Sequence, residues 1–166
     1  MVRLDDKQIS EFYHLSYTAV DGLWFMKTEE KFGFDTALDI DNEVWKVVPK
    51  IQARMLKSVL KMENGIEALF ECFTAKLALD GFVFKTEKDE NGSAFRIIIE
   101  KCPWYDLMVK SGRESLAGKV GVRICNTEYS AWASEFGDGI CFELHERLCN
   151  GSELCILQFE TCACLK

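Results

Sequence analysis

The sequence predicts an α+β fold: N-terminal helices packed on an antiparallel sheet made from two hairpins separated by a helical segment. Three observations predict it. Apolar residues recur at helical spacing through the first half of the chain. Two later segments switch to the alternating spacing of strands, each folded back near an Asn-Gly pair. Between those segments the chain opens on a proline and returns to helical spacing. Runs of helix kept apart from runs of strand define α+β order.

The first helix is expected over Asp6 to Phe32, where Ile9, Phe12, Tyr13, Ser16, Val20, Leu23, Trp24 and Lys27 share helical spacing and Gly33 ends it. Asp35 can cap a second helix carrying Leu38, Val44, Val47, Val48, Ile51, Met55, Val59 and Met62. Pro49 falls inside that pattern, so a kink or a break into two pieces is expected. A third helix is expected from Ile66 to Leu79, stopped by Asp80-Gly81. Strands are expected over 82–87 and 94–100, joined around Asn91-Gly92. Pro103 suits a first helical position, and helices are expected over 104–110 and 113–136. Gly137-Asp138-Gly139 breaks the chain, and the second hairpin is expected over 140–148 and 154–162.

Side chains alternate along a strand, so the second hairpin can be read face by face. A tight turn at Asn150-Gly151 pairs Leu144 with Leu157; a four-residue loop pairs Leu144 with Phe159. Both registers put Cys155 on the apolar face and Cys149 on the polar one, directing them to different places unless a bulge intervenes.

The chain has 166 residues, 48% of them hydrophobic, with two prolines and no repeat or low-complexity tract. It reads as a single domain over 1–166, large enough to bury a core without disulfide staples. A net charge of −7 argues against general binding of nucleic acid, which needs a basic footprint. The segment from Met1 to Asp6 lacks the apolar core of a signal peptide, and no apolar run has the length of a membrane span. A cytoplasmic protein is expected. In that reducing compartment the eight cysteines read as thiols, metal ligands or reactive sulfur, or as small core residues.

Four places can carry chemistry. Cys102 lies at a strand-to-helix corner before Pro103, where helix amides favour a thiolate. It is a nucleophile or a metal ligand there, or simply a small residue in a tight corner. Cys125, Glu128, Tyr129, Trp132 and Phe136 are spaced three or four apart, giving one helix face a thiol, a carboxylate and aromatics. The bland reading makes that face core, with Glu128 at its rim. Asp21 stands with Tyr17, Trp24 and Thr28, a carboxylate among aromatics that could hold a ligand amine or act as a base. Cys162-Ala-Cys164, with Cys141, His145 and Cys149, spaces a soft-metal or redox cluster. The sequence holds no CxxC, HExxH, Gly-rich phosphate loop or GxSxG elbow.

The segments Ser16–Phe25, Cys102-Pro103-Trp104, Cys125–Tyr129 with Trp132, and Arg147-Leu148-Cys149 with Gly151 and Cys155 carry a resemblance. The chain resembles uncharacterised archaeal and bacterial proteins of the L-2-amino-thiazoline-4-carboxylate hydrolase-like group. More broadly it is similar to 4-vinyl reductase-type small-molecule-binding domains. The first resemblance implies opening of a cyclic C–S or C–N bond by water. The second implies an enclosed ligand site.

These readings combine into one expectation: a cytoplasmic domain that binds a small molecule between helices and sheet. Asp21, Trp24, Glu128 and Trp132 would line the ligand. Cys102, Cys125 and Cys155 would hold zinc or iron. Two alternatives stand beside it. One is a hydrolase using Asp21 or Glu128 as base and Cys102 as nucleophile or metal ligand. The other is an interaction module that forms a homodimer through a sheet edge or an aromatic patch.

Overall fold

The computed structural model describes residues 3–162. Its order is α1 (Asp6–Phe32), α2 (Phe34–Trp45), α3 (Val48–Leu60), α4 (Ile66–Leu79), β1 (Val83–Lys88), β2 (Ala94–Lys101), α5 (Pro103–Lys110), α6 (Glu114–Ser134), β3 (Ile140–Leu144) and β4 (Cys155–Thr161). This is the α+β order the sequence predicts. The sequence shows no linker, yet packing divides the chain into two compact units, residues 1–43 and 44–166. Among the described residues no helix is long and apolar enough to cross a membrane.

In the first unit, α1 begins at a capping box. Gln8 N–H donates to Asp5 Oδ1 (2.8 Å), and Asp5 N–H donates to Gln8 Oε1 (3.0 Å). Gly33, at φ 85°, ends α1 in a conformation that disfavours a side chain. α1 has no buried residue. Its half-covered positions are His14, Ser16, Thr18, Asp21, Gly22, Phe25, Thr28 and Glu29, and all of them but Ser16 fall on one face. The Phe25 and Phe34 rings meet edge to face at 5.9 Å.

The expected interruption at Pro49 is a full break. α2 stops at Trp45, and α3 restarts with Pro49 in its first turn, where the missing N–H costs nothing.

In the second unit the two hairpins join through their inner strands into one antiparallel sheet, ordered β1-β2-β4-β3. Register aligns Phe95, Phe159 and Phe142 across three strands, and next to them Ile97, Leu157 and Leu144. The period-2 pattern therefore puts one apolar face inward. Phe95 stacks on Phe159 at 4.9 Å, and Phe142 lies 5.0 Å from Phe159. Phe73 of α4 meets Phe159, Trp132 and Tyr129 at 5.3, 5.4 and 5.5 Å, tying helices to sheet. Burying each such side chain contributes roughly 1.5–3 kcal/mol.

The second hairpin keeps the register of the tight turn, Leu144 opposite Leu157, but not the turn itself. β3 ends at Leu144, four residues early. His145 N–H donates to Ile156 O (2.9 Å) and Ile156 N–H donates to Glu146 O (3.2 Å). Beyond that the chain leaves the ladder for a short 3-10 turn, Leu148–Asn150, closed by Gly151 at φ 90°. Of the expected soft-metal or redox cluster, Cys141 and Cys162 are joined as a disulfide, with Cα atoms 5.7 Å apart. Cys164 lies outside the described residues.

Candidate functional site

α6 builds the site. Cys125, Glu128, Tyr129 and Trp132 recur at helical spacing, so one face turns all four towards the core of the second unit. Trp132 is fully buried, held between Phe73 and Phe136, whose ring stacks on it at 6.1 Å. Its indole Nε1–H has no hydrogen-bond partner among the described residues. A buried donor left unpaired costs about 1–3 kcal/mol. Such an orphan in a packed core invites an acceptor.

Glu128 is core, not rim, at 5% exposure. Its partner is Lys76 of α4, itself 3% exposed, whose Nζ donates to Glu128 Oε1. The same ammonium lies 3.0 Å from Asp80 Oδ2 and 5.6 Å from the centre of the Phe82 ring. Burial opposes the Lys76 charge, but Glu128 and Asp80 outweigh it and hold Lys76 protonated, well above the usual lysine range. Burial pushes the Glu128 carboxyl up, and Lys76 pulls it back. A carboxylate clamped in this way is an anchor for α4 on α6, and a poor free base.

Four thiols gather beside this pair, from four elements. Cys102 is the N-cap of α5, as expected, but without a capping hydrogen bond. The Tyr105 and Trp104 amides pull its pKa down, yet burial wins and pushes the thiol up to about 12. The expected activation of Cys102 by the helix terminus is thus overturned by desolvation. Cys125 is also raised well above the ordinary thiol range, by burial first, then by Glu128 and by Cys102, Cys149 and Cys155. Cys155 opens β4, is raised by burial, and accepts a hydrogen bond from Leu148 N–H at 3.2 Å.

Cys149 corrects the face-by-face reading. Because it sits on the 3-10 turn and not on a strand, alternation does not govern its direction. Its sulfur lies against Gly121 of α6, where an added Cβ would come within 2.5 Å of Cys149 Sγ and 3.9 Å of Cys125 Sγ. Cys149 and Cys155 therefore approach one region after all. Gly118 serves the same seat: a Cβ there would meet Asn150 Oδ1 at 2.9 Å. The two glycines of α6 thus open the helix surface to the 3-10 turn.

The structure brings together Cys102, Cys125, Glu128 and Cys155 among the sequence candidates, with Trp132 one turn along α6 from Glu128. Asp21 and Trp24 lie on α1 in the first unit, where Asp21 is half-buried and Trp24 is 71% exposed. Sequence reading missed Lys76 and Arg147 as site residues, and grouped Cys149 with Cys141, His145, Cys162 and Cys164 instead. Arg147 pulls the Cys149 and Cys155 thiols down against burial, and its Nε has no partner among the described residues. Lys76 was findable, since it shares helical spacing with Leu69, Phe73 and Asp80 on the buried side of α4. The turn that redirects Cys149 has no comparable signal.

Sulfur donors suit a soft metal such as zinc or iron. Their arrangement does not: among the described residues no group of three or more His, Cys, Asp and Glu side chains could hold a metal ion. Cys102, Cys125 and Cys155 are neighbours, not an assembled metal centre.

Taken together, the second unit is a layer of helices on a four-stranded antiparallel sheet, with a mixed thiol, ion-pair and aromatic site between them. The chain belongs to the family of unknown function DUF6125, whose model matches residues 5–140. That span holds Cys102, Cys125, Glu128 and Trp132 and stops before Cys149 and Cys155. No curated protein matches. Among solved structures the chain is similar to the phenol-responsive sensory domain of the transcription activator PoxR, determined with phenol. The identity is 9% and the TM-score 0.52, over 86% of this chain and 73% of that one. At that identity the likeness is one of fold.

Proposed function

We propose that the second unit binds a small, mainly apolar molecule carrying one hydrogen-bond acceptor, seated against Trp132 and the thiol-bearing face of α6. The observation that carries this reading is the orphaned Trp132 Nε1–H, a fully buried donor set among Phe73, Phe136 and Tyr129. Ligand sites of this class pair an aromatic lining with a few fixed polar groups. The likeness of fold to a domain that responds to phenol supports the same class of ligand. In the hydrolase alternative Lys76 already holds the Glu128 carboxylate, which leaves Asp21 of the first unit as the base.

The test is calorimetric titration of the full chain with monocyclic phenols and with thiazoline carboxylates. Saturable binding of one molecule per chain is expected. Trp132→Phe keeps the ring and removes the donor, and should weaken binding about threefold to tenfold, the worth of one neutral hydrogen bond. Equal affinity in both proteins would remove Trp132 from the reading. Turnover of a thiazoline carboxylate would replace binding by hydrolysis.

Zinc or iron on Cys102, Cys125 and Cys155 would require these thiols to come together and to lose their protons. Elemental analysis of protein purified without added metal decides that point. A cytoplasmic setting belongs to the same proposal, and the Cys141–Cys162 bridge is the feature that tests it. Recovery of both residues as thiols from the cell supports that setting.

A second reading, the homodimer, is favoured by a separate observation: α1 exposes Phe12, Tyr13, Val20, Leu23 and Trp24, more apolar surface than a lone helix keeps in water without purpose.

A further inference from the structure

Helical spacing sorts α1 into two faces. The half-covered residues from His14 to Glu29, Ser16 apart, take one. The opposite face carries Ile9, Phe12, the half-covered Ser16, Val20, Leu23 and Lys27, at steps of three and four residues, and the N-cap Asp5 precedes it. Tyr13 and Trp24 flank it. Ile9, Phe12, Val20 and Leu23 are all exposed. The stripe is symmetric about Ser16: Ile9 and Leu23 stand equally far from it on either side, then Phe12 and Val20, then Asp5 and Lys27.

We infer that this stripe is the surface on which two copies of the chain pair, with their α1 helices antiparallel and the two-fold axis at Ser16. The inference deepens the homodimer reading and rests on it. In this register Ile9 of one copy meets Leu23 of the other, and Phe12 meets Val20. Ser16 meets its own copy, where a small side chain lets the backbones approach. Asp5 and Lys27 face one another at both ends. A parallel pair would set Asp5 against Asp5, which charge disfavours; Lys27 already pairs with Glu30 at 2.8 Å, and the Asp5 carboxylate also accepts from Gln8 N–H. The interface is isologous, as a two-fold dimer requires.

Area is sufficient. Six large side chains (Ile9, Phe12, Tyr13, Val20, Leu23, Trp24) burying roughly 100 Å² each give about 1,200 Å² across the pair, the lower edge of specific interfaces. At one edge of the sheet the outer strand β1 carries Lys85, Glu87 and Lys88, charges that oppose strand pairing there.

Cysteine cross-linking of the full chain under mild oxidant tests this, with sedimentation equilibrium for mass and the unsubstituted protein as background for its native thiols. Ser16→Cys should form a covalent dimer. Ile9→Cys should not, since the two copies of position 9 would lie about 21 Å apart along the helices. Ile9→Cys with Leu23→Cys in the same chain should cross-link again. Leu23→Asp should reduce the sedimenting mass from two chains to one, with helical circular dichroism unchanged. Cross-linking by Ile9→Cys alone would mean a parallel pair and overturn the register. A dimer that Ser16→Cys does not trap would leave the homodimer reading standing and overturn the α1 surface. A monomer at every concentration, including one in which α1 folds against its own chain, would overturn both.

Discussion

Lys76 and Glu128 are the residues on which the second unit stakes most. Two charges taken out of water are held by one another, with Asp80 as the third member. Removing one partner leaves the others buried and uncompensated, so Lys76→Met should cost about 3–5 kcal/mol in urea unfolding. Adding Glu128→Met should recover part of that loss, and a double-mutant cycle measures the coupling. The pH dependence follows from the raised Lys76 pKa. The folded value lies above the ordinary 10.5, so its contribution is complete below about 10.5 and is lost as pH rises through the folded value. The Lys76→Met protein should lack that alkaline decline, and an identical decline in both would contradict the assignment. Glu128 was legible as one member of an α6 face. Its role was not, because the lysine that turns it from candidate base into anchor sits 52 residues away in a helix read only for its apolar spacing.

At the scale of elements, the seat of the 3-10 turn on α6 makes a sharp claim about Gly121. Alanine there gains about 1 kcal/mol of helix propensity. It also drives a Cβ into Cys149 Sγ, and overpacking of this kind costs about 1–3 kcal/mol. The expected net effect is a lowered melting temperature for Gly121→Ala, restored when Cys149→Ala is added. A Gly121→Ala protein as stable as the parent would show that the turn does not rest on α6. The helices α1 and α4 and the Asn91-Gly92 hairpin were legible because caps, breakers and period agree locally. The second hairpin was legible only in register. Asn150-Gly151 reads as a tight turn, yet the chain spends residues 145–154 on a detour whose cause is tertiary: Gly118 and Gly121 offer it a place to pack. Cys149 consequently moved from the wrong face to the thiol cluster, and no pattern within the hairpin encodes that. Cys102 failed differently. Its position at the α5 terminus was right, and burial reversed its chemistry.

At the scale of the molecule, the proposed binding and the proposed pairing fall in different units. The second unit holds the core, the thiols and Trp132, and is proposed to bind. The first presents the apolar stripe of α1 and is proposed to pair. The expected lining of one site by Asp21, Trp24, Glu128 and Trp132 drew on both units at once. The sequence could mark each residue as unusual, but periodicity within a helix carries no information about which compact unit that helix joins. Native mass spectrometry of the full chain, titrated with monocyclic phenols, tests whether the second unit binds a small aromatic molecule. One ligand mass per chain is expected at saturation, reduced in Trp132→Phe and unchanged in Trp24→Phe. A chain that stays at its bare mass with every ligand, or one whose uptake is lost with Trp24 and kept without the Trp132 donor, would contradict it.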